Sequence, residues 1–175
     1  MGGGRSHPLI EVFPKIPREY PLLDPVEASA VVSGYLQLRG HTRDKVRLSL
    51  NRLNQAQRRH NLGDQAVELC IALEALVGDD QTTELTHKIK VRGARILGGD
   101  DKQRARHSSI IGRTYDIRSK LVHTGRVDEG KKYNIVGETS TPTQIIEEAV
   151  PLVASLIKTL IREGSIPNWT SFDIC

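Results

Sequence analysis

Arg118 and His123 are the two side chains whose types and spacing in this sequence best fit catalytic chemistry. Four residues separate them, and Gly125 follows as a residue that can end a helix. Histidine titrates near neutral pH and transfers protons, whereas arginine stays charged and holds phosphate oxygens with a planar fork of donors. Together they suit acid–base chemistry on a phosphodiester. The same spacing occurs by chance in many helices, so the pair needs support from its surroundings.

Positive charge is concentrated around this pair. Residues 102–126 contain seven Lys and Arg side chains and one acid, Asp116. The whole chain has 25 Lys and Arg against 21 Asp and Glu, a mild excess that says little about partners. The local excess predicts an anionic partner, and a solvated helix face is the alternative explanation of the same charges.

Length and composition predict one all-α domain. The chain has 175 residues, 38% of them hydrophobic and 4% aromatic, and its aliphatic residues recur with a helical period. Its two cysteines give neither metal-ligand spacing nor a disulfide framework, and Cys70 is expected in the core. The sequence has no apolar stretch of membrane-spanning length and no secretion signal at its start, so we expect a cytoplasmic protein.

Proline and glycine divide the chain into an N-terminal extension, residues 1–40, and a helical domain, residues 41–175. Prolines are dense in residues 8–25, which predicts an extended segment lying on the domain surface. Asp24 followed by Pro25 then predicts a short helix to about Leu38. This opening also leads us to expect that the chain is the C-terminal part of a larger protein whose other part senses a trigger.

Caps and apolar spacing predict five further helices. Their expected starts are Thr42, Asp64, Thr83, Asp101 and Thr141. Their expected ends lie near Asn61, Gly78, Leu97, His123 and Gly164. The second of the five is apolar nearly all round and is the expected central helix. Its Glu74 needs a partner, and a structural hydrogen bond or salt bridge is favoured over a catalytic role.

The expected inward faces complete this set of predictions. Val46, Leu50 and Leu53 mark one face, and Ile111, Tyr115 and Val122 widen the stripe of the long helix that begins near Asp101. Pro151 is expected to kink the last helix. After it, three apolar residues are expected to fold back as a clasp: Ile166, Trp169 and Phe172.

The long helix does not place Arg118 and His123 on one face. At about 100° per residue Asp116, Lys120 and His123 share one side, while Arg118 lies off it. Either the last turn unwinds at Thr124 and Gly125, or a second copy of the helix completes the pair across a dimer interface. Residues 124–140 follow as a long polar connection, which we expect to be flexible or to face a substrate, with a strand-like piece at residues 133–136.

Four separated segments resemble the HEPN superfamily and, within it, the ApeA-like branch of bacterial defence proteins. They are ALEAL at residues 72–76, RGARIL at residues 92–97, YDIRSKLVH at residues 115–123 and IPNW at residues 166–169. The resemblance covers roughly residues 45–170. It implies a bundle of four or five core helices that forms a homodimer and brings two Arg/His motifs into one cleft. Many members are metal-independent ribonucleases that act as toxins or abortive-infection effectors.

The resemblance also implies roles for residues of this chain. His123 is the expected general acid/base for attack of the ribose hydroxyl on the adjacent phosphate, and Arg118 is expected to stabilise the charged phosphorus centre. The product is a cyclic phosphate end, the partner is RNA, with transfer RNA among the candidates, and no metal or cofactor is expected. Auxiliary candidates are Ser119, Asp116, Lys120 and Glu74, and candidate RNA contacts are Arg113, Arg106, Arg104 and Arg126.

The sequence departs from the HEPN pattern at one position, and two alternative functions stay open. Gly125 stands where HEPN toxins silenced by a nucleotidyltransferase carry a tyrosine, so that antitoxin is not predicted and any inhibitor is unidentified. The first alternative is a non-catalytic dimerisation or nucleic-acid/nucleotide-binding module of a larger defence protein. The second is a basic DNA-binding helical protein, which salt-dependent binding to duplex DNA without RNA cleavage would favour. Four histidines are scattered along different elements at spacings that do not suit a zinc site. We expect them on the surface: His41, His60, His87 and His107.

Overall fold

The computed structural model describes residues 23–79 and 83–174, so the predictions for the Gly-rich start and the proline-rich segment up to residue 22 lie outside the described residues. The described part is an all-α bundle, as expected, and it also contains one small hairpin. Its elements are α1 (Pro25–Gln37), α2 (Gly40–Arg58), α3 (Leu62–Val77), α4 (Leu85–Leu97), α5 (Asp101–Thr124), β1 (Tyr133–Ile135), β2 (Glu138–Ser140), α6 (Pro142–Glu163) and α7 (Trp169–Ile174).

Helix α3 is the centre of the bundle, as predicted, and packs against α2, α4, α5 and α6. Leu69, Leu73 and Leu76 are almost fully buried along it, and Cys70 is buried among them. Each such side chain contributes roughly 1.5–3 kcal/mol by leaving water, so the burial of α3 stabilises the bundle. The whole predicted apolar face of α6 is also buried: Ile145, Ile146, Ala149, Leu152, Val153, Leu156, Ile157 and Leu160.

Two of the predicted helix starts are confirmed by the side chains that cap them. Asp24 accepts hydrogen bonds from the backbone of α1, and Thr141 forms a capping box at α6. Three other starts were wrong. Thr42 lies inside α2, because that helix begins directly after Arg39, next to the buried anchor Leu38.

The other two wrong starts flank the central helix. Asp64 lies in the first turn of α3, because the side chain of Asn61 accepts hydrogen bonds from two backbone N–H groups and caps the helix earlier. Thr83 lies before α4, since Glu84 adopts a left-handed conformation with φ 58° and the helix begins only at Leu85.

Two residues assigned to inward faces are exposed instead. Leu50 is 37% exposed, because α2 turns Ser49 inward and the Ser49 hydroxyl donates a hydrogen bond of 2.8 Å to the Ala72 carbonyl. Val122 is 65% exposed, since it lies beyond the last residues of α5 that face a neighbouring helix. His107 was expected on the surface but is half-buried, and its enclosed Nδ1 has no hydrogen-bond partner among the residues that the structure describes.

The connection between α5 and α6 contains a β-hairpin. The strand-like piece at residues 133–136 is confirmed as β1, and β2, which the sequence analysis missed, pairs with it antiparallel. Asn134 accepts a hydrogen bond of 3.0 Å from the Gly137 backbone, and Gly137 has φ 87° at the turn. Buried Tyr133 and Ile135 hold the hairpin against the bundle, so this part of the connection is ordered structure.

The predicted clasp of the C-terminal segment is confirmed as the short helix α7. Trp169 and Phe172 pack edge to face with ring centroids 5.6 Å apart. The guanidinium of Arg92 lies 4.6 Å from the Trp169 ring, and that of Arg95 lies 4.5 Å from the Phe172 ring. Two arginines of α4 therefore hold α7, where the sequence had indicated only apolar contact. None of the helices in the described ranges is long and apolar enough to cross a membrane.

Candidate active site on α5

The last turns of α5 are positioned by the first turn of α3. Gly63 lies so close to Leu121 that a Cβ at Gly63 would be 2.9 Å from both δ carbons of the leucine. Ile117, one turn earlier on α5, is fully buried. This packing fixes the direction in which the side chains of the candidate motif leave the helix.

Arg118 and Tyr115 both contact one carboxylate oxygen of Glu74. Its Nη1 lies 3.7 Å from Oε1 of Glu74 on α3, and the Tyr115 hydroxyl donates a hydrogen bond of 3.1 Å to the same oxygen. The guanidinium also lies 5.9 Å from the Tyr115 ring. The predicted structural partner of Glu74 is therefore present, and it is the candidate catalytic arginine together with a tyrosine. The side chain of Arg118 nevertheless stays 39% exposed, so its remaining donors are open to an anion.

Tyr115 was assigned only a core role from the sequence. Its burial raises the pKa of the phenol well above its ordinary value, with further contributions from Cys70 and Glu74. The hydroxyl therefore stays protonated and donates to Glu74 at any physiological pH. The signal in the sequence was its position three residues before Arg118, where two side chains of a helix meet on one face.

His123 lies exposed on the last turn of α5. The helix continues through Thr124, and Gly125 ends it in a left-handed conformation with φ 69°, its N–H donating to the Leu121 carbonyl at 2.8 Å. The chain thus ends its helix at the predicted place without turning His123 toward Arg118. Five residues at about 100° each leave the two side chains roughly 140° apart around the axis of one helix.

The helix surface between Arg118 and His123 is occupied by Ser119 and Val122. Both are exposed, and Val122 is a large aliphatic side chain in contact with solvent. Ser119 lies between Arg118 and His123 around the helix axis. Its hydroxyl is free to hydrogen-bond either of these side chains or a phosphate.

The other auxiliary candidates divide between a surface ion pair and a cavity. Asp116 accepts from Arg113 at 2.8 Å, and both side chains are exposed, so Asp116 belongs to a surface ion pair. Lys120 instead lines a cavity of about 690 Å³ between the end of α5 and the following loop. The other residues of that lining are Thr124, Arg126, Val127, Asp128, Glu129, Lys131 and Tyr133.

Two of the four candidate RNA contacts lie far from the motif. Arg104 and Arg106 are in the first two turns of α5, so that at about 1.5 Å per residue they lie roughly 25 Å or more along the helix from His123. Arg106 is also bound by Glu148 and Glu138, which raise the pKa of its guanidinium, and its charge is compensated. Arg113 is next to Asp116 and Tyr133, and Arg126 follows Gly125 directly.

The described residues include no group of three or more His, Cys, Asp or Glu side chains that could hold a metal ion. Comparison of the chain with protein-family models, with curated proteins and with solved structures finds no match.

Proposed function

We propose that this protein is a metal-independent endoribonuclease of the HEPN type, active as a homodimer, and that its biological role is antiviral defence or toxicity. The observation that carries the proposal is the half-exposed Arg118, oriented by Glu74 and Tyr115 and separated from His123 only by Ser119 and exposed Val122. A second copy packed on Val122 would cover that surface and bring Arg118 of one protomer toward His123 of the other.

In this proposal each residue has a defined chemical task. His123 of one protomer removes the proton of the ribose 2′-hydroxyl as general base and delivers a proton to the leaving 5′-oxygen as general acid, so each site uses one His123. The O2′–P bond forms and the P–O5′ bond breaks, which leaves a cyclic phosphate and a free 5′-hydroxyl. Arg118 donates hydrogen bonds to the phosphoryl oxygens as negative charge accumulates there. Glu74 and Tyr115 act on Arg118 as positioning residues.

The test is incubation of the purified protein with transfer RNA and total RNA in chelator, with fragments and their end groups identified. The expected result is cleavage to cyclic phosphate ends by the parent and a loss of 10²-fold or more in His123→Ala, the size of a general acid/base contribution. His87→Ala is the matched control, because His87 is also an exposed helical histidine but lies on α4. RNA with 2′-O-methyl groups is expected to resist, since it lacks the nucleophile.

A second candidate function is a non-catalytic dimerisation or nucleic-acid-binding module. The separation of Arg118 and His123 by roughly 140° on one helix favours it, as does the ion pair that gives Arg118 a structural task. RNA that stays intact with both the parent and His123→Ala, while both bind it, would replace the ribonuclease with this module.

A further inference from the structure

Helix α2 and the residues that flank it form a strongly basic segment, and the proposed site on α5 does not use it. From Arg39 to Arg59 the chain has seven Lys and Arg residues and one acid, Asp44, which gives this segment a net charge of +6. The whole chain has a net charge of only +4. Residues outside the segment therefore sum to a net charge of −2, because acids elsewhere outweigh the second basic run at residues 102–126.

Part of this charge is used inside the protein. Glu68 of α3, almost fully buried, accepts from Arg52 at 3.1 Å and from Arg59 at 3.0 Å. Lys45 donates to the Gly78 carbonyl at the end of α3, and Arg39 donates to carbonyls at the end of α1. These four cations stabilise the contact between α2 and its neighbours.

The other three arginines point away from the core in a single row. Arg43, Arg47 and Arg58 are exposed, and with Asn51 and Asn54 they fall within an arc of roughly 80° on the helix surface. Arg47 has only an exposed ion pair of 3.3 Å with Asp44, which is worth little in water. In the described ranges Arg43 and Arg58 have no acidic partner. The row, which we call the α2 basic row, is roughly 22 Å long at about 1.5 Å per residue.

The Arg58 end of the α2 basic row lies at the same end of the bundle as the candidate site on α5. Arg58 is in the last turn of α2, and α3 begins four residues later. Gly63 in the first turn of α3 packs on Leu121, two residues before His123. The C-terminal ends of α2 and α5 therefore lie at the same end of the bundle, on either side of the start of α3.

We propose that the α2 basic row binds the phosphate backbone of the RNA whose cleavage we assign to α5. The choice of RNA as the polyanion rests on the proposed function. Arginines at helical spacing pair with successive phosphates, and asparagine amides between them add hydrogen bonds to phosphate, sugar or base edges. An anionic membrane is the weaker choice, because the row consists of Arg and Asn side chains and lacks the apolar face that inserts into lipid.

The test measures binding of a fluorescent single-stranded RNA of about 20 nucleotides to full-length protein carrying His123→Ala, so that cleavage cannot interfere. The double variant Arg43→Gln/Arg58→Gln is compared with a control double variant, Lys102→Gln/Arg162→Gln. The control removes the same charge from α5 and α6. Affinity is measured from about 50 to 200 mM salt. The α2 pair is expected to weaken binding about 10-fold at the lowest salt and to reduce the salt slope by about 1.4, since each lost phosphate contact on a single strand removes about 0.7.

The inference is overturned if the α2 pair binds RNA like its parent, or if the control pair loses as much affinity. It is also overturned if the parent binds vesicles containing anionic lipid but not RNA. Helical circular dichroism and thermal unfolding confirm that both exposed pairs remain folded. The readout is separate from catalysis: a parent that binds RNA through α2 but never cuts it contradicts the proposed ribonuclease alone, whereas cleavage with no effect of the α2 pair contradicts this inference alone.

Discussion

Oε1 of Glu74 is the atom on which the orientation of the candidate arginine depends, and Tyr115 supplies its uncharged hydrogen bond. Tyr115→Phe removes the hydroxyl and leaves the ring in place. We expect a loss of about 1 kcal/mol in the free energy of unfolding, the net worth of one neutral hydrogen bond. If Arg118 acts in RNA cleavage, kcat is expected to fall because the arginine is less firmly held. Denaturant unfolding and cleavage kinetics check the two effects.

Tyr133→Phe is the control for this substitution. Tyr133 is as deeply buried as Tyr115, and its ring also lies beside basic side chains, Arg113 and Lys131. Its hydroxyl, however, has no hydrogen-bond partner in the described part of the protein. We therefore expect little change in stability, and an equal loss in both variants would mean that the bond between Tyr115 and Glu74 contributes nothing.

At the residue scale, the sequence indicated which side chains to consider but not how they are oriented. Arg118 and His123 were identified from type and spacing, and Glu74 from the cost of burying a carboxylate. The link from Glu74 to Tyr115 joins residues 41 positions apart, on two helices. Such a contact depends on how α3 packs against α5, which periodicity alone does not determine. The exposure of Val122 was missed for the same reason.

The attachment of α7 depends on one buried arginine of α4. Arg92 is 1% exposed, donates to both carboxylate oxygens of Asp173 at 2.9 and 2.6 Å, and also donates to Asp79 and to the Val77 carbonyl. Hydrogen bonding to Arg92 lowers the pKa of Asp173 below its ordinary value, although the carboxyl itself is partly exposed. The pair therefore makes stability depend on pH.

The sign of this dependence follows from the lowered pKa. The unfolded chain binds a proton at Asp173 more readily than the folded chain does, so the pair stabilises the protein above the unfolded pKa of about 3.9. That stabilisation is lost as the pH falls through the lower folded value. Between about pH 5 and pH 2 we expect the melting temperature to fall less steeply in Asp173→Asn than in the parent. Asp44→Asn, which removes an exposed partner of Arg47, is expected to behave like the parent in the same thermal scans.

At the element scale, prediction succeeded where the deciding interaction is local. Thr141, Pro142 and the apolar period that follows determine α6 without help from the rest of the chain. The start of α2 and the strand β2 could not be read in this way. Leu38 is buried by tertiary packing, and β2 is a strand because buried β1 provides its partner. The fold-back of the C-terminal segment was expected, but its attachment to Arg92 and Arg95 of α4 was not.

The whole molecule is a helical bundle around α3 whose two candidate catalytic side chains leave α5 in different directions. The bundle class followed from the helical periods and the low aromatic content of the sequence. The arrangement of two copies does not follow from one chain, because a two-fold interface is a property of the surface as a whole. In the proposed dimer, that interface contains Val122, which is exposed between Arg118 and His123.

Complementation between two inactive variants tests whether the site is shared between protomers. Arg118→Ala and His123→Ala are each expected to be inactive on RNA, because every site lacks one of its two groups. When the two are mixed under conditions that exchange subunits, half of the dimers pair one protomer of each kind. One of the two sites in such a dimer then has an intact Arg118 and an intact His123, so cleavage should return to about a quarter of the parent value.

Val122→Glu provides the control on the interface in this experiment. A glutamate on the proposed contact is expected to repel its symmetry mate, which gives monomers in sedimentation and abolishes recovery when it is present in both variants. Its exposed position should leave the fold intact, which thermal unfolding checks. A mixture that stays inactive although subunits exchange would show that Arg118 and His123 do not act across the interface. Activity in the Val122→Glu monomer would place the whole reaction within one chain.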